Sequence, residues 1–103
     1  MVKYSYKNNE LEVMGHALYA KHGTDIVCAS VSTMIILSSN LIKRFNQDEN
    51  VSISIKEGYF NLRVIKETKE IKIILENLLY SLEELTLEYP KHIKKEWSLC
   101  LLN

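Results

Sequence analysis

Between Val51 and Pro90 the chain changes its hydrophobic period once, and this switch restricts the fold more than any other stretch. Val51, Ile53 and Ile55 alternate with Ser52, Ser54 and Lys56; after Glu57-Gly58, Phe60, Leu62 and Val64 alternate again. Period two on both sides of a two-residue turn is the pattern of a β-hairpin. From residue 67 to 89 the spacing becomes three and four, through Ile71, Ile74, Leu75, Leu78, Leu79, Leu82 and Leu85. That predicts an amphipathic helix, which Pro90 stops. A hairpin and a helix that each carry one apolar face satisfy both faces by packing together.

The same order occurs earlier in the chain. Val2, Tyr4 and Tyr6 alternate, Asn8-Asn9 supplies turn chemistry because Asn tolerates positive φ, and residues 11–14 alternate again until Gly15. A loop with Gly23 follows, and a helix is expected from Thr24 or Asp25, both good caps, to about Arg44. Val27, Val31, Ile35, Leu41 and Ile42 mark its apolar faces, and Met34, Ile36 and Leu37 widen them. So apolar a helix is expected to be covered on most sides, by the sheet and by a partner subunit. Asn46 to Asn50 read as a polar loop, and the tail from His92 to Leu101, with Ile93, Trp97, Leu99 and Leu101, as a possible last strand. The expected fold is α+β, a mainly antiparallel sheet from two hairpins packed with two helices, in the order ββαββα(β), forming a single domain over residues 1–103. No repeat at the level of residues accompanies the repeated order.

Charge and cysteine content narrow the function classes. Thirteen basic and thirteen acidic residues cancel. Non-specific binding to nucleic acid draws on a basic excess, so no direct nucleic-acid partner is expected. Two cysteines, Cys28 and Cys100, make no disulfide framework and fit a reduced chain. The N-terminal MVKYSYKNNE lacks the apolar core of a signal peptide, and no run is read as approaching the ~20 apolar residues of a membrane span. A cytoplasmic protein with no membrane partner is expected.

The stretch GHALYAKHGTDIVCASVS, residues 15 to 32, carries the candidate chemistry. With Asp25 as the cap, Cys28 falls in the first helical turn, where unpaired N–H groups and the macrodipole favour an anion. Such placements lower a thiol pKa from ~8.5 to roughly 3.5–7.5. The alternative is a small side chain buried in an apolar helix. His16 follows a strand and a glycine, and the stretch between can fold back to let imidazole act as base toward the thiol; an exposed loop histidine is the plainer reading. Asp25 is fully explained as a helix cap, and orienting His16 is a second role open to it. His22 and His92 read as solvated, and Cys100 is given no role. Ser30, Ser32, Ser38 and Ser39 suit close packing and show no nucleophile signature. His16, His22, Asp25 and Cys28 are all zinc-ligand types, but their spacing matches no strong zinc pattern, so no metal and no cofactor are expected. Only Gly15, Gly23 and Gly58 occur, too few for a phosphate-cradling loop.

Gly15-His16-Ala17, a short loop with Gly23, Asp25-Ile26-Val27-Cys28-Ala29 and Val31-Ser32 together resemble the ribosomal-processing cysteine protease family. The twelve-position step from His16 to Cys28 is kept. Ser30 departs from the small alanine or glycine expected there, and the apolar tail from Trp97 to Leu101 is unusual. The resemblance implies a bacterial cysteine endopeptidase that removes a short N-terminal extension from a large-subunit ribosomal protein, cutting after an aromatic residue. It implies Cys28 as nucleophile, His16 as general base and acid, Asp25 at the family's acidic position, the ribosomal N-terminal peptide as substrate, and a homodimer. Two other readings of the same residues stay open: a non-catalytic ribosome-assembly factor that binds the same peptide, and a zinc-binding domain.

Overall fold

Two asparagines turn the chain first. In the computed structural model, which describes residues 1–15 and 26–96, Asn8 and Asn9 adopt φ of +54° and +61°. They join β1 (Val2–Lys7) to β2 (Glu10–Gly15) in a two-residue hairpin with Lys7 opposite Glu10. Helix α1 (Ile26–Arg44) follows, then a single 3-10 turn at Asp48–Asn50 within the expected polar loop. β3 (Val51–Lys56) and β4 (Tyr59–Val64) make the second hairpin, with φ of +71° at Gly58. A left-handed residue at this turn is met most cheaply by glycine. Helix α2 (Lys69–Glu88) and a short β5 (Ile93–Lys95) complete the order ββαββαβ.

The five strands form one mixed sheet in the order β3-β4-β2-β1-β5. β2 pairs antiparallel with β4 and so joins the two hairpins, Leu11 opposite Leu62 and Val13 opposite Phe60. β5 is the exception to the antiparallel pattern: it runs parallel to β1, with Ile93 beside Val2. It is also shorter than the tail expected from the sequence, which continues outside the described residues.

Alternation sends Val2, Tyr4, Leu11, Val13, Phe60, Leu62, Val64 and Ile93 to one face of the sheet, where all are buried. Both helices cover that face. α2 contributes Ile71, Ile74, Leu75, Leu78, Leu82 and Leu85, the stripe its sequence spacing requires. Its first turn is capped by the Thr68 hydroxyl, which accepts from the Ile71 N–H at 3.2 Å and donates to Gln47 Oε1 at 2.7 Å. The Asn50 amide donates to the same Gln47 oxygen at 2.9 Å, so one side chain ties the end of the polar loop to the start of α2.

Within the chain α1 is covered along one stripe, Val27, Val31, Ile35, Ser38 and Ile42, while Ile36 and Leu37 are exposed. Its 19 residues also reach a mean hydropathy of 1.6 over an 18-residue window, long and apolar enough to cross a membrane by length and composition. The sequence reading undervalued this because serine and asparagine break the run without lowering the average much. A buried stripe packed into a sheet is what a core helix shows.

Tyr4 sits at the centre of this core, 1% exposed. Burial pushes its phenol above the ordinary 10.0; Thr86 hydrogen bonding pulls the other way, and the nearby Glu83 charge adds to the rise. Tyr6 is raised for the same first reason, with Glu67 adding to it. The folded state therefore favours the neutral phenol. The stabilisation is complete below the unfolded pKa of about 10 and is lost as pH climbs through the raised folded value. Urea unfolding should show stability falling above pH ~10, and Tyr4→Phe should flatten that fall. An identical alkaline slope in the variant would contradict the buried-phenol description.

Candidate active site

β2 ends at Gly15, and its geometry explains why no other residue fits. The φ there is +147°, and a Cβ would fall onto the Met1 carbonyl oxygen and 2.7 Å from Val2 Cα. The crowding follows from the register that sets Gly15 opposite Val2 across β1 and β2. On its other side the Gly15 N–H donates to the Gly58 carbonyl at 3.1 Å, which fastens the end of β2 to the turn of the second hairpin.

Above this junction runs the start of α1. Cys28 lies in its first described turn, half-buried, packed against the core. Ser30 and Thr33 send their hydroxyls back to the Ile26 and Ala29 carbonyls at 2.8 and 2.9 Å, so neither is available as a nucleophile in this geometry. Ser32 instead faces the space between α1 and the sheet.

That space is an open cleft of about 190 Å³. Cys28, Val31 and Ile35 line it from α1, Val13 and Gly15 from β2, and Ile55 and Phe60 from the second hairpin. Lys56 is its one charged neighbour among the described residues. Concave apolar surface with a few polar groups is the usual form of a ligand site, and here a thiol stands on its wall. A half-buried thiol near a helix start, beside an apolar cleft, has the arrangement of a thiol-dependent enzyme that binds an apolar group next to its sulfur.

Of the residues singled out in the sequence, the structure brings Cys28 and Gly15 to one cleft. His16, Asp25, His22, Gly23 and Cys100 lie outside the described residues. His92 is exposed, as expected, and its backbone bridges Tyr89 and Val2. Among the described residues no group of three or more His, Cys, Asp or Glu could hold a metal ion. The sequence reading offers Tyr19 and other loop residues for the pocket, which lie outside the described residues, and misses Ile55 and Phe60, which lie on a hairpin more than twenty-five positions from Cys28. Their alternation marked them as core-facing but not as neighbours of the thiol.

Comparison with known proteins gives the class a family. The model of the family described as cysteine protease Prp matches residues 1–94. The ribosomal processing cysteine protease Prp of Mycoplasma pneumoniae is 32% identical over 100 residues, covering 93% of this chain and 94% of that one. Two crystal structures of an essential ribosomal processing protease Prp from S. aureus are similar in fold. The one with a covalently linked product peptide has a TM-score of 0.80 and 27% identity, covering 94% of this chain and 97% of that one. The one with a substrate peptide has a TM-score of 0.78 and 26% identity over the same shares. The chain belongs to the cysteine protease Prp family, and it is a cysteine protease, a hydrolase.

Proposed function

We propose that this protease removes a short N-terminal extension from a large-subunit ribosomal protein, cutting after an aromatic residue, with Cys28 as nucleophile and His16 as general base. The observation that carries the reading is the position of Cys28 on the wall of an apolar cleft that Gly15, the residue before His16, also borders. An apolar pocket beside the sulfur suits an aromatic side chain immediately before the scissile bond. The product and substrate peptides held by the S. aureus relatives are consistent with a peptide occupying the same region here.

In this mechanism His16 takes the Cys28 proton, and the thiolate attacks the carbonyl carbon that follows the aromatic side chain. The tetrahedral oxyanion is held by backbone N–H groups at the start of α1; one such donor is typically worth about 10²–10³ in rate. Collapse breaks the C–N bond, and His16 gives its proton to the leaving amine. Water, deprotonated by the same imidazole, then hydrolyses the thioester and restores the thiol. Asp25 is assigned as the cap of α1 and the group that orients His16. Homodimerisation and action in the cytoplasm belong to the same proposal; exposed apolar residues of α1 such as Leu37 support the first.

The test is a synthetic peptide spanning the host's ribosomal-protein N-terminus, incubated with the protein and analysed by mass spectrometry. A single cut on the carboxyl side of an aromatic residue is expected. An intact peptide, or cuts scattered without regard to aromatic residues, would overturn the assignment.

A further inference from the structure

The two edges of the sheet are built differently. β5 is three residues long and carries Lys94 and Lys95, the short charged form that discourages pairing with another chain. β3, at the opposite edge, is six residues long and has no proline and no bulge in its pairing with β4. The direction of its backbone groups follows from the hairpin. Lys56 and Tyr59 close the two-residue turn, so residues 52, 54 and 56 direct their N–H and C=O groups toward β4. The flanking bonds agree with this parity: Ile65 N–H donates to the Asn50 carbonyl at 2.8 Å on the β3 side, and Val64 N–H to the Asn9 carbonyl at 2.8 Å on the β2 side. Val51, Ile53 and Ile55 therefore aim their donors and acceptors outward.

The side chains of those same residues lie on the helix-covered face, and toward the turn they become exposed: Ile53 is 37% and Ile55 65% exposed. Ile55 is part of the wall of the Cys28 cleft, which Ile36 of α1, 59% exposed, also lines. A row of outward backbone groups beside an apolar strip, ending at a nucleophile's cleft, suits an extended polypeptide: main-chain pairing supplies affinity and alternate side chains meet the strip.

We propose that the outer edge of β3 is a docking strand for the substrate polypeptide, which adds as a sixth strand pairing with Ile53 and Ile55 and passes from there into the Cys28 cleft. The proposal rests on the functional reading above, and it extends recognition to substrate residues remote from the scissile bond. Recognition of this kind reads backbone more than side chain, so it accepts varied sequence in the flank while requiring that flank to be extended.

The experiment is an N-methyl scan of the synthetic ribosomal peptide, one backbone N–H at a time, beside a short peptide that holds only the residues around the cut. Methylation at every second residue of one flank should raise KM about tenfold with little change in kcat, and methylation at the residues between should have little effect. Alanine side chains at the sensitive positions should cost much less. On the enzyme side, Ile53→Pro removes an outward N–H and spares the β3–β4 ladder. With circular dichroism and melting as controls, the variant should lose the advantage of the long peptide over the short one. A long peptide that is cut but shows no alternating sensitivity overturns the docking alone. Mass that rises with concentration and is abolished in Ile53→Pro, with the long peptide unaffected, gives the edge to a second copy of this chain and also overturns it. If neither peptide is cut, the functional reading fails and the docking falls with it.

Discussion

Cys28→Ala should lower kcat/KM on the ribosomal peptide by at least about 10⁴-fold, the scale on which enzymes lose rate when a nucleophile is removed. The expectation follows from position. The sulfur is the one nucleophilic side-chain atom on the cleft wall from α1 apart from Ser32, whose hydroxyl has no activating pattern in the sequence. In the proposed mechanism the sulfur is the atom that forms the thioester, and water is a poor replacement for it as nucleophile. Stability should hardly change, because Cys28 is only half-buried and alanine keeps its place in the helix. The comparison is a progress curve on the same peptide with melting temperatures for both proteins. A variant that cuts at the normal rate removes Cys28 from the mechanism.

Gly15→Ala should cost about 2–3 kcal/mol, read as a fall in Tm of the order of 10–20 °C. Two effects add there. The +147° φ is unfavourable to any L side chain, and the new methyl meets the Met1 carbonyl and Val2 backbone rather than the far end of a flexible side chain. Relief requires β1 and β2 to part at their ends or Gly15 to leave its bond with Gly58. Either movement displaces the residue next in the chain, His16. Activity should fall more than the folded fraction does, since a shift near 1 Å in a reacting group costs up to about 10²-fold. Parallel melting and kinetics check this, and wild-type values for both would contradict the described packing around Gly15.

Much of this architecture was legible in the sequence, and the reasons are local. Asn8-Asn9 and Glu57-Gly58 announced their turns because positive φ is cheap for Asn and Gly, and the structure has positive φ at Asn8, Asn9 and Gly58. The three-and-four spacing of α2 picked out all six residues of its buried stripe, with Leu79 beside them only partly buried, and Pro90 set its end within about two positions. What periodicity does not contain is who sits beside whom. The parallel pairing of β5 with β1, and the pairing of β2 with β4 that joins the hairpins, arise from tertiary packing. For the same reason the cleft was not legible: Cys28 could be placed near a helix start, but Ile55 and Phe60 reach it only once α1 lies over the sheet. The reason for Gly15 was hidden too, since it lies in Met1 and Val2 across the strand pair. An apolar composition also does not say how much of a helix one chain buries, and Ile36 and Leu37 of α1 stay exposed within it.

The central claim is that Cys28 is ionised by its surroundings and that His16 has a part in this. Iodoacetamide alkylation of Cys28 against pH, followed by peptide mass mapping in the native protein and in His16→Ala, addresses it most directly. The account expects a midpoint well below the ordinary thiol value of about 8.5, moving upward when the imidazole is removed. A midpoint near 8.5 in both proteins would contradict it.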